Sequence, residues 1–386
     1  MTAGFDIAVI GGGVIGLSLA RELAREGARV GVIDAGTEIP PATRAAAGML
    51  APSFEIAHGE SVQGPDNRIG EALYAFSAAS LELWPGFAAA LQEESGVAID
   101  LRHDGILGVA LDEERAGALG RDAAFLRARG AAVEIIDGDE ARRLEPGLSP
   151  DIVSALHAPR DGQVDPRRLL SALRLSVERV AGAVIPARVV GCVAAGAGFV
   201  ARLADGGRVE AARLVLAGGA SRLPMVAGVP APPVRPVKGE AIALATPAGA
   251  SPDAPGLRRV VRAPGAYLCP KSDGRLVIGA TEIEGRADLT VDKAAAAALR
   301  AAGARAAPGV AGLPLVERWA GLRPGTPDAA PILGAPRQGP GGLYFALGHY
   351  RNGVLLAPAS ARALADDMLG RDGPFDVAPF HPARFA

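Results

Sequence analysis

The sequence predicts a mixed α/β fold, α+β overall, in which a largely parallel sheet and an antiparallel sheet arise from interleaved segments. From Phe5 to Asp34 the chain reads as strand, Gly-rich turn, helix and strand, which is the order of a βαβ unit. From Pro236 to Thr281, short strands alternate with turns, a pattern that favours an antiparallel sheet. Strand, Gly-rich turn and helix return in residues 331–369, so the first sheet is built from separated pieces.

The first βαβ unit carries the signals of a dinucleotide site. Gly11, Gly13 and Gly16 follow the apolar run Ile7 to Ile10 and open a helix. Gly11 allows the tight turn, Gly13 lets the backbone approach a pyrophosphate, and Gly16 lets the helix pack closely on the strand. Free N–H groups at the helix start attract phosphate. Asp34, at the tip of the next strand, suits a ribose hydroxyl and favours FAD or NAD over NADP.

The remaining elements follow from periodicity and turn residues. Helical spacing over residues 69–91 is interrupted at Trp84-Pro85-Gly86, which predicts two helices. Gly105 to Leu111 reads as a strand. A helix is predicted from Asp165, its cap, to about Val180. The stretch Thr246 to Pro255, rich in Ala and Pro, is predicted to be an exposed loop.

Composition excludes several classes of function. The 386 residues have a formal net charge of −2, so no basic surface for nucleic acid or for an anionic membrane is expected. No basic stretch precedes an apolar one at the N-terminus, and no apolar run reaches membrane-spanning length. We therefore expect a cytoplasmic protein without a nucleic-acid or membrane partner. Cys192 and Cys269 lack metal-ligand spacing and are expected to be buried.

Six motifs, in order, carry a resemblance to a known family. The chain resembles the FAD-dependent amine oxidases of the D-amino-acid oxidase superfamily, and within it the glycine oxidases of the thiamine pathway, from about Phe5 to Leu369. The motifs are GGGVIG, AAAGMLAP, PVKGE, KSDGRLVIGAT, WAGLRPGTPDAAPILG and GHYRNGVLLAPA. The resemblance implies a Rossmann-like FAD-binding domain from residues 1–85, 150–232 and 320–386, and an antiparallel-sheet substrate-binding domain from residues 86–149 and 233–319.

The resemblance also implies which residues contact FAD. The start of the last helix would face the pyrimidine edge of the flavin, where a helix N-terminus stabilises the negative charge of the reduced ring. Arg44 departs from the family, which commonly has a small hydroxyl residue there. No cysteine or histidine stands where related enzymes attach flavin covalently, so FAD is expected to be non-covalent. The implied contacts are Gly11, Gly13, Gly16, Asp34, Thr43, Arg44, Ala46, Ala47, Gly48, Met49, Leu50, Val189, Ala217, Gly218, Arg323, Gly348, Tyr350, Arg351, Asn352, Gly353 and Val354.

Three residues are implied to contact the substrate. Arg323 matches an arginine that holds the amino-acid carboxylate, a bidentate task that suits a planar guanidinium. Tyr267 matches a tyrosine that donates to the same carboxylate, and the main-chain carbonyl of Arg351 would accept from the amine. The alternatives are an ion pair for Arg323, a packed strand aromatic for Tyr267 and a structural role for Arg351. Glu282 either lies in solvent or lines the pocket, where its charge would disfavour acidic and apolar substrate side chains.

The implied activity is oxidation of glycine, sarcosine or small D-amino acids. A hydride would pass from the α-carbon to FAD, and the imine would hydrolyse to an oxo acid and ammonia or an amine. Oxygen would accept the electrons and give hydrogen peroxide. A homo-oligomer is expected. Alternatives are a dehydrogenase with another electron acceptor, a flavin-dependent tRNA-modifying module, and a non-catalytic FAD-binding partner protein. Near-neutral charge argues against the tRNA module.

Overall fold

The computed structural model describes residues 2–36, 42–55, 68–180, 182–221, 225–246 and 257–385. Of the predicted loop from Thr246 to Pro255, all but Thr246 lies outside these residues. The helices are α1 Val14–Arg25, α2 Ala42–Ala45, α3 Pro52–Glu55, α4 Arg68–Ser95, α5 Glu113–Arg127, α6 Gly138–Leu144, α7 Pro166–Arg179, α8 Lys293–Ala306 and α9 Gly353–Met368. Short 3-10 turns occupy Pro308–Gly312, Ala378–Phe380 and Pro382–Phe385.

The strands are numbered in chain order. They are β1 Thr2–Ile10, β2 Val30–Asp34, β3 Met49–Leu50, β4 Ile106–Ala110, β5 Glu134–Asp137, β6 Ser154–Ala158, β7 Gly162–Gln163, β8 Ala183–Pro186, β9 Val189–Ala195, β10 Gly198–Leu203, β11 Arg208–Leu216, β12 Arg235–Ala245, β13 Val260–Ala263, β14 Ala266–Pro270, β15 Arg275–Gly279, β16 Ile283–Glu284, β17 Leu315–Gly325, β18 Ile332–Gly334 and β19 Leu343–Leu347.

The first sheet confirms the predicted βαβ unit and its assembly from separated segments. Within the described residues its path runs β18-β19-β11-β1-β2-β8, with β10 and β9 joined at β11. Strands β19, β11, β1, β2 and β8 are mutually parallel. Helices α1, α4, α7 and α9 share one apolar core with this sheet, in which Leu17, Trp84, Leu173 and Leu356 are fully buried. The strand ends that follow Ile10, Asp34 and Leu216 therefore open on one edge.

The second sheet confirms the predicted antiparallel region. Its path runs β16-β12-β15-β14-β13-β4-β6-β5, with β17 paired to β12. All the pairs are antiparallel except β4 with β13. Helix α8 packs on one face around Leu268 and Ile278, and α5 packs on the other around Leu119 and Leu126. The division of the whole chain into two domains at the boundaries given above stays a prediction.

The predicted break at Trp84-Pro85-Gly86 is wrong, because α4 runs without interruption from Arg68 to Ser95. Pro85 and Gly86 lie on the exposed side of the helix, where water can replace the hydrogen bond that a proline removes. Trp84 lies on the opposite side, is fully buried, and donates from Nε1 to the carbonyl of Leu355 at 3.0 Å. Packing of this face against α9 outweighs the local helix-breaking signal.

Two expectations from composition concern buried sulfur and membrane spans. Cys192 and Cys269 are both free and buried, as predicted, and burial raises the pKa of each thiol to about 11. In the part of the chain that is described, no helix combines the length and the apolar character that crossing a bilayer requires.

Candidate active site

A cavity of about 860 Å³ lies at the carboxyl edge of the first sheet and extends to the second sheet. We call it the main cavity. The structure brings most of the predicted site residues together around it. Its walls include Gly11, Gly13, Asp34, Thr43, Ala46, Ala47, Gly48, Met49, Val189, Ala217, Gly218, Tyr267, Arg323, Gly348, Tyr350, Arg351, Asn352, Gly353 and Val354.

Three predicted cofactor residues do not line the main cavity. The side chain of Arg44 is exposed, and Leu50 is fully buried. Gly16 lies inside α1, where an added Cβ would come within 2.0 Å of the Gly11 carbonyl oxygen. Gly16 therefore acts through the close packing of helix on turn, as the sequence predicts, and has no direct contact with the cavity.

The Gly-rich turn leaves room for a pyrophosphate. Gly11 has a φ of +116°, and a Cβ there would lie 2.4 Å from the Ala217 carbonyl oxygen, so only glycine fits. Gly13 is the N-cap of α1, and an added Cβ would meet only the Thr43 hydroxyl, at 3.6 Å. That hydroxyl accepts from the Val14 amide at 3.0 Å. The backbone at Gly13 thus faces open cavity beside the positive end of a helix, and these residues fit the phosphates of FAD.

Asp34 is fixed at the tip of β2 by an arginine that the sequence patterns did not indicate. The Arg174 guanidinium on α7 donates to Asp34 Oδ2 at 2.8 Å. On the other side the carboxyl lies against Gly12, where an added Cβ would approach the Asp34 carboxyl carbon to 2.7 Å. No group in the described residues donates to Oδ1 of Asp34. One oxygen is therefore held by protein, and the other is left to accept from a ribose hydroxyl.

The last helix begins at the main cavity with its amides uncapped. Asn352 is the N-cap of α9, and its side chain makes no capping hydrogen bond. His349 precedes it, is buried, and shares a 3.1 Å hydrogen bond between Nε2 and the Ser360 hydroxyl. Burial lowers the pKa of His349 to about 3, so this imidazole is neutral. The positive potential at this end of the cavity consequently comes from the helix dipole rather than from an imidazolium.

Tyr267 and Arg323 lie flat against the second sheet where it meets the main cavity. A Cβ on Gly279 would come within 2.4 Å of the Tyr267 hydroxyl, and one on Gly239 within 2.5 Å of Arg323 Nη1. Arg323 donates from Nη1 to the Thr281 carbonyl at 3.2 Å. Burial raises the pKa of Tyr267, although the charge of Arg323 opposes the shift. The tyrosine therefore stays protonated and can donate beside the guanidinium.

Arg351 also lines the main cavity, but its guanidinium is held by two carboxylates. Nε donates to Glu55 at 3.1 Å and Nη1 to Glu282 at 3.0 Å. The Tyr350 hydroxyl donates to the other oxygen of Glu282 at 2.6 Å. The charge of Glu55 raises the pKa of Arg351, and burial together with Glu282 raises the pKa of Tyr350 to about 12. The side chain of Arg351 is thus engaged in ion pairs, which leaves its main chain for the predicted contact with an amine.

A second cavity of about 360 Å³ adjoins the first, and the two share Tyr267, Ala280, Arg323 and Arg351. We call it the side cavity. Glu282 lines it with 42% of its side chain exposed, so this residue is both partly solvated and part of a pocket wall. The charged side chains on its walls are Arg115, Arg262, Glu282, Arg323 and Arg351.

Sequence reasoning missed several of these residues. Arg174, Glu55, Arg115 and Arg262 lie in segments with no motif, and their positions depend on contacts between distant elements. Lys271 did stand inside a motif that carried the resemblance, KSDG. It is buried and donates to the Ala47 carbonyl at 2.6 Å, to Gln163 Oε1 at 2.9 Å and to the Val164 carbonyl at 3.0 Å.

Comparison with known proteins shows the family of the chain and its cofactor, FAD. A family model described as FAD dependent oxidoreductase matches residues 6–367. The chain belongs to this family. Glycine oxidase of Geobacillus kaustophilus is 34% identical over 388 aligned positions, which cover 100% of this chain and 98% of that protein. Its crystal structure has a TM-score of 0.88 at 33% identity and covers 99% of both chains. Iminodiacetate oxidase of Chelativorans sp. BNC1 has a TM-score of 0.83 at 27% identity and covers 97% of this chain and 98% of that one.

As a family member, the protein is a FAD-dependent oxidoreductase that oxidises amino acids and acts on CH–NH2 or CH–NH donors. The fold class predicted from the sequence is confirmed by the same comparisons. The main cavity offers FAD the features that a dinucleotide needs: two helix N-termini, a glycine turn without side chains and a carboxylate at the tip of β2.

Proposed function

We propose that the protein oxidises a small amino acid, namely glycine, sarcosine or a small D-amino acid, to an oxo acid with release of ammonia or an amine. The observation that carries the proposal is the placement of Arg323 and Tyr267 on the second sheet, at the junction of the main and side cavities. A guanidinium and a phenol on one face offer a carboxylate three or more N–H and O–H donors. The names glycine oxidase and iminodiacetate oxidase, borne by two structural relatives, support a substrate that contains both an amine and a carboxylate.

The chain's own residues bind and orient the substrate. Arg323 holds the carboxylate in a bidentate grip, and Tyr267, kept protonated by burial, donates a further hydrogen bond. The main-chain carbonyl of Arg351 accepts from the amine and turns the α-carbon toward the main cavity. Because the carboxylate and the amine are both held, the reacting C–H bond is oriented toward the main cavity, and this orientation is the protein's contribution to catalysis by proximity.

The bound FAD supplies the hydride acceptor. The uncapped start of α9 provides positive potential at the cavity end, and α1 does the same for the phosphates. Water then hydrolyses the imine product to the oxo acid. His349 is neutral and already bonded to Ser360, so we assign it no proton transfer.

Oxygen as electron acceptor, hydrogen peroxide as product and assembly into a homo-oligomer are further parts of this proposal. The decisive experiment mixes the purified yellow protein with glycine, sarcosine, D-alanine and L-alanine in the absence of air, and follows bleaching of the flavin absorbance. Rapid bleaching by glycine, sarcosine or D-alanine, but not by L-alanine, is expected. If all four amines leave the oxidised spectrum unchanged, the proposal is wrong.

The same reduced protein is then exposed to air or to an artificial quinone. Reoxidation by air with one equivalent of peroxide identifies an oxidase. Slow reoxidation by air and fast reoxidation by the quinone would instead identify the dehydrogenase alternative, without affecting the assignment of the amine as donor.

A further inference from the structure

The side cavity carries more positive charge than a monocarboxylic substrate requires. Its walls hold the guanidinium groups of Arg115, Arg262, Arg323 and Arg351. Two carboxylates face these groups: Glu282 on the same wall, and Glu55, which pairs with Arg262 and Arg351. Four positive charges against two negative ones leave a net charge of +2. The α-carboxylate at Arg323 compensates one of these charges, and the other is not paired with a carboxylate of the described residues.

The acidic groups are already committed to partners. Glu282 accepts from both Tyr350 and Arg351, and Glu55 accepts from Arg262 at 3.3 Å and from Arg351 at 3.1 Å. Arg262 is 9% exposed and its guanidinium lies 5.4 Å from the centre of the Phe54 ring. Arg262 is therefore held rigidly by an ion pair and by an aromatic ring, and it faces Tyr267 across the β13–β14 pair.

Arg115 is the group whose charge is left over. Its side chain is half-buried at the first turn of α5, and within the described residues its guanidinium has no hydrogen-bond or ion-pair partner. A cation in the first turn of a helix is disfavoured by the helix dipole. An unpaired arginine in such a place, on the wall of a cavity beside the substrate, is the feature expected of a site for an anion.

We propose that the side cavity binds a second carboxylate of the substrate, so that the enzyme prefers amino dicarboxylates to glycine. Arg115 donates to this second carboxylate, and Arg262, held by Glu55 and Phe54, supports it from the neighbouring strand. A substrate as small as glycine, held at Arg323 and Tyr267, has no side chain or second carboxylate to extend toward Arg115 in this cavity of 360 Å³. The inference rests on the proposed oxidation of an amino carboxylate, and it reverses the expectation that Glu282 would select against acidic side chains.

The second carboxylate can be carried either by the side chain on the α-carbon or by the substituent on the nitrogen, and two pairs of substrates distinguish these possibilities. A second carboxylate on the α-carbon is tested by D-glutamate against D-glutamine. A second carboxylate on the nitrogen is tested by iminodiacetate against its monoamide. The charged member of at least one pair is expected to have a kcat/KM about 10- to 100-fold higher than its neutral counterpart, the range for a charge-assisted hydrogen bond.

The matched variants are Arg115→Gln and Arg121→Gln. Both lie on α5 and remove one positive charge, but Arg121 is exposed and lies outside the cavity walls. Arg115→Gln is expected to reduce the charged-to-neutral ratio of kcat/KM about tenfold or more, and Arg121→Gln is expected to leave it unchanged. Equal ratios in both variants and in the unaltered enzyme would overturn the inference.

A measurement without turnover separates this inference from the proposed function. Succinate and succinamate, which carry no amine, are titrated into the FAD-loaded enzyme, and binding is followed by the change in the flavin spectrum. Tighter binding of succinate that is lost in Arg115→Gln supports the anionic side cavity even if no amine reduces the flavin. Equal binding of the two compounds, together with normal oxidation of glycine, removes the inference and leaves the proposed function intact.

Discussion

Arg323 differs from the other buried or half-buried arginines of the site in its protein partners. Among the described residues, its one acceptor is the Thr281 carbonyl, whereas Arg262 and Arg351 are paired with carboxylates. Gly239 lets the guanidinium lie flat, and Tyr267 donates beside it. A permanent charge with a single neutral acceptor is prepared to bind an anion, and a substrate carboxylate supplies one.

Replacement of this residue gives the first prediction. Arg323→Ala is expected to raise KM for the amine substrate while the protein still purifies yellow, because a buried carboxylate without its partner costs about 2–5 kcal/mol, or roughly 30- to 5,000-fold. Steady-state kinetics and the flavin content of the purified protein measure the two effects. The control is Arg318→Ala, an exposed arginine on the same strand, which should leave KM unchanged. Unaltered kinetics in Arg323→Ala would exclude this residue from substrate binding.

Asp161 gives a prediction about pH. It is buried, it accepts from the Ser53 hydroxyl at 3.0 Å and the Ser53 amide at 3.3 Å, and burial raises its pKa from 3.8 to about 8. In the unfolded chain the same group loses its proton near pH 4. Between pH 4 and 8 the folded protein therefore binds more protons than the unfolded chain, so this group's contribution to stability is complete below pH 4 and declines as the pH rises to 8.

The measurement is the free energy of unfolding by urea at pH 5, 6.5 and 8, with saturating FAD. Asp161 should contribute a decline of up to about 1.4 kcal/mol per pH unit. Asp161→Asn has no carboxyl to titrate and should have a correspondingly flatter profile. Identical pH slopes in the two proteins would show that Asp161 keeps an ordinary pKa.

At the scale of elements, two glycines of the same motif have different functions: Gly16 allows close packing of α1, and Gly13 leaves space for a ligand in the main cavity. Gly16 lies within α1, with no space for a methyl group against the Gly11 carbonyl. Gly13 has extended dihedral angles, φ −78° and ψ −179°, that any residue can adopt, and an added Cβ would point into open cavity. Gly16 is thus required by the packing of the protein itself, whereas Gly13 is required by the ligand that occupies the cavity.

The matched pair Gly13→Ala and Gly16→Ala tests this division. Gly13→Ala should leave the thermal midpoint of the apoprotein nearly unchanged but weaken FAD binding by at least about tenfold, because the methyl group occupies space beside the pyrophosphate. Gly16→Ala should destabilise the apoprotein itself, by about 1–3 kcal/mol, because the helix must move off the turn. Calorimetry of the apoproteins and titration with FAD measure both. Equal loss of apoprotein stability in the two variants would contradict the division.

The features that the sequence predicts correctly depend on neighbouring residues, whereas the features that it does not predict depend on contacts between residues far apart in the chain. The first βαβ unit, the cap at Asp165 and the antiparallel strands were predicted because their signals lie within a few residues of one another. The break at Pro85 was predicted wrongly, because the buried contact of Trp84 with α9 joins residues 271 positions apart. Glu55, which pairs with Arg262 and Arg351, was missed for the same reason. Local patterns carry no record of such distant contacts.

At the scale of the whole molecule, a few polar contacts fasten the second sheet to the helices of the first. Arg167 on α7 makes two hydrogen bonds of 2.8 Å to Glu317 on β17. Asp165, the buried cap of α7, pairs with Arg275 on β15 at 2.5 Å. Lys271 follows β14 and binds the Ala47 carbonyl in the loop that lines the main cavity. The walls of the FAD cavity therefore depend on how the two sheets are joined.

Replacement of Lys271 tests whether the walls of the FAD cavity depend on the contacts that join the two sheets. In Lys271→Met, a side chain of similar length leaves the Ala47 and Val164 carbonyls and the Gln163 amide oxygen without their buried donor. Each acceptor that water cannot reach costs about 1–3 kcal/mol, so a lower unfolding midpoint is expected. Because Ala47 lies in the wall of the main cavity, the affinity for FAD should fall as well.

The control is Lys293→Met, which removes the same charge from an exposed position at the start of α8. Added FAD stabilises only the folded state, so raising its concentration should recover part of the lost midpoint in Lys271→Met but cannot restore the missing donor. A midpoint of the FAD-free Lys271→Met protein that lies below that of FAD-free Lys293→Met separates the structural loss from weaker cofactor binding. If Lys271→Met matches Lys293→Met in both midpoint and FAD affinity, the buried lysine does not join the two sheets energetically, and the cavity wall is held by other contacts, such as those of Arg167, Arg275 and Trp319.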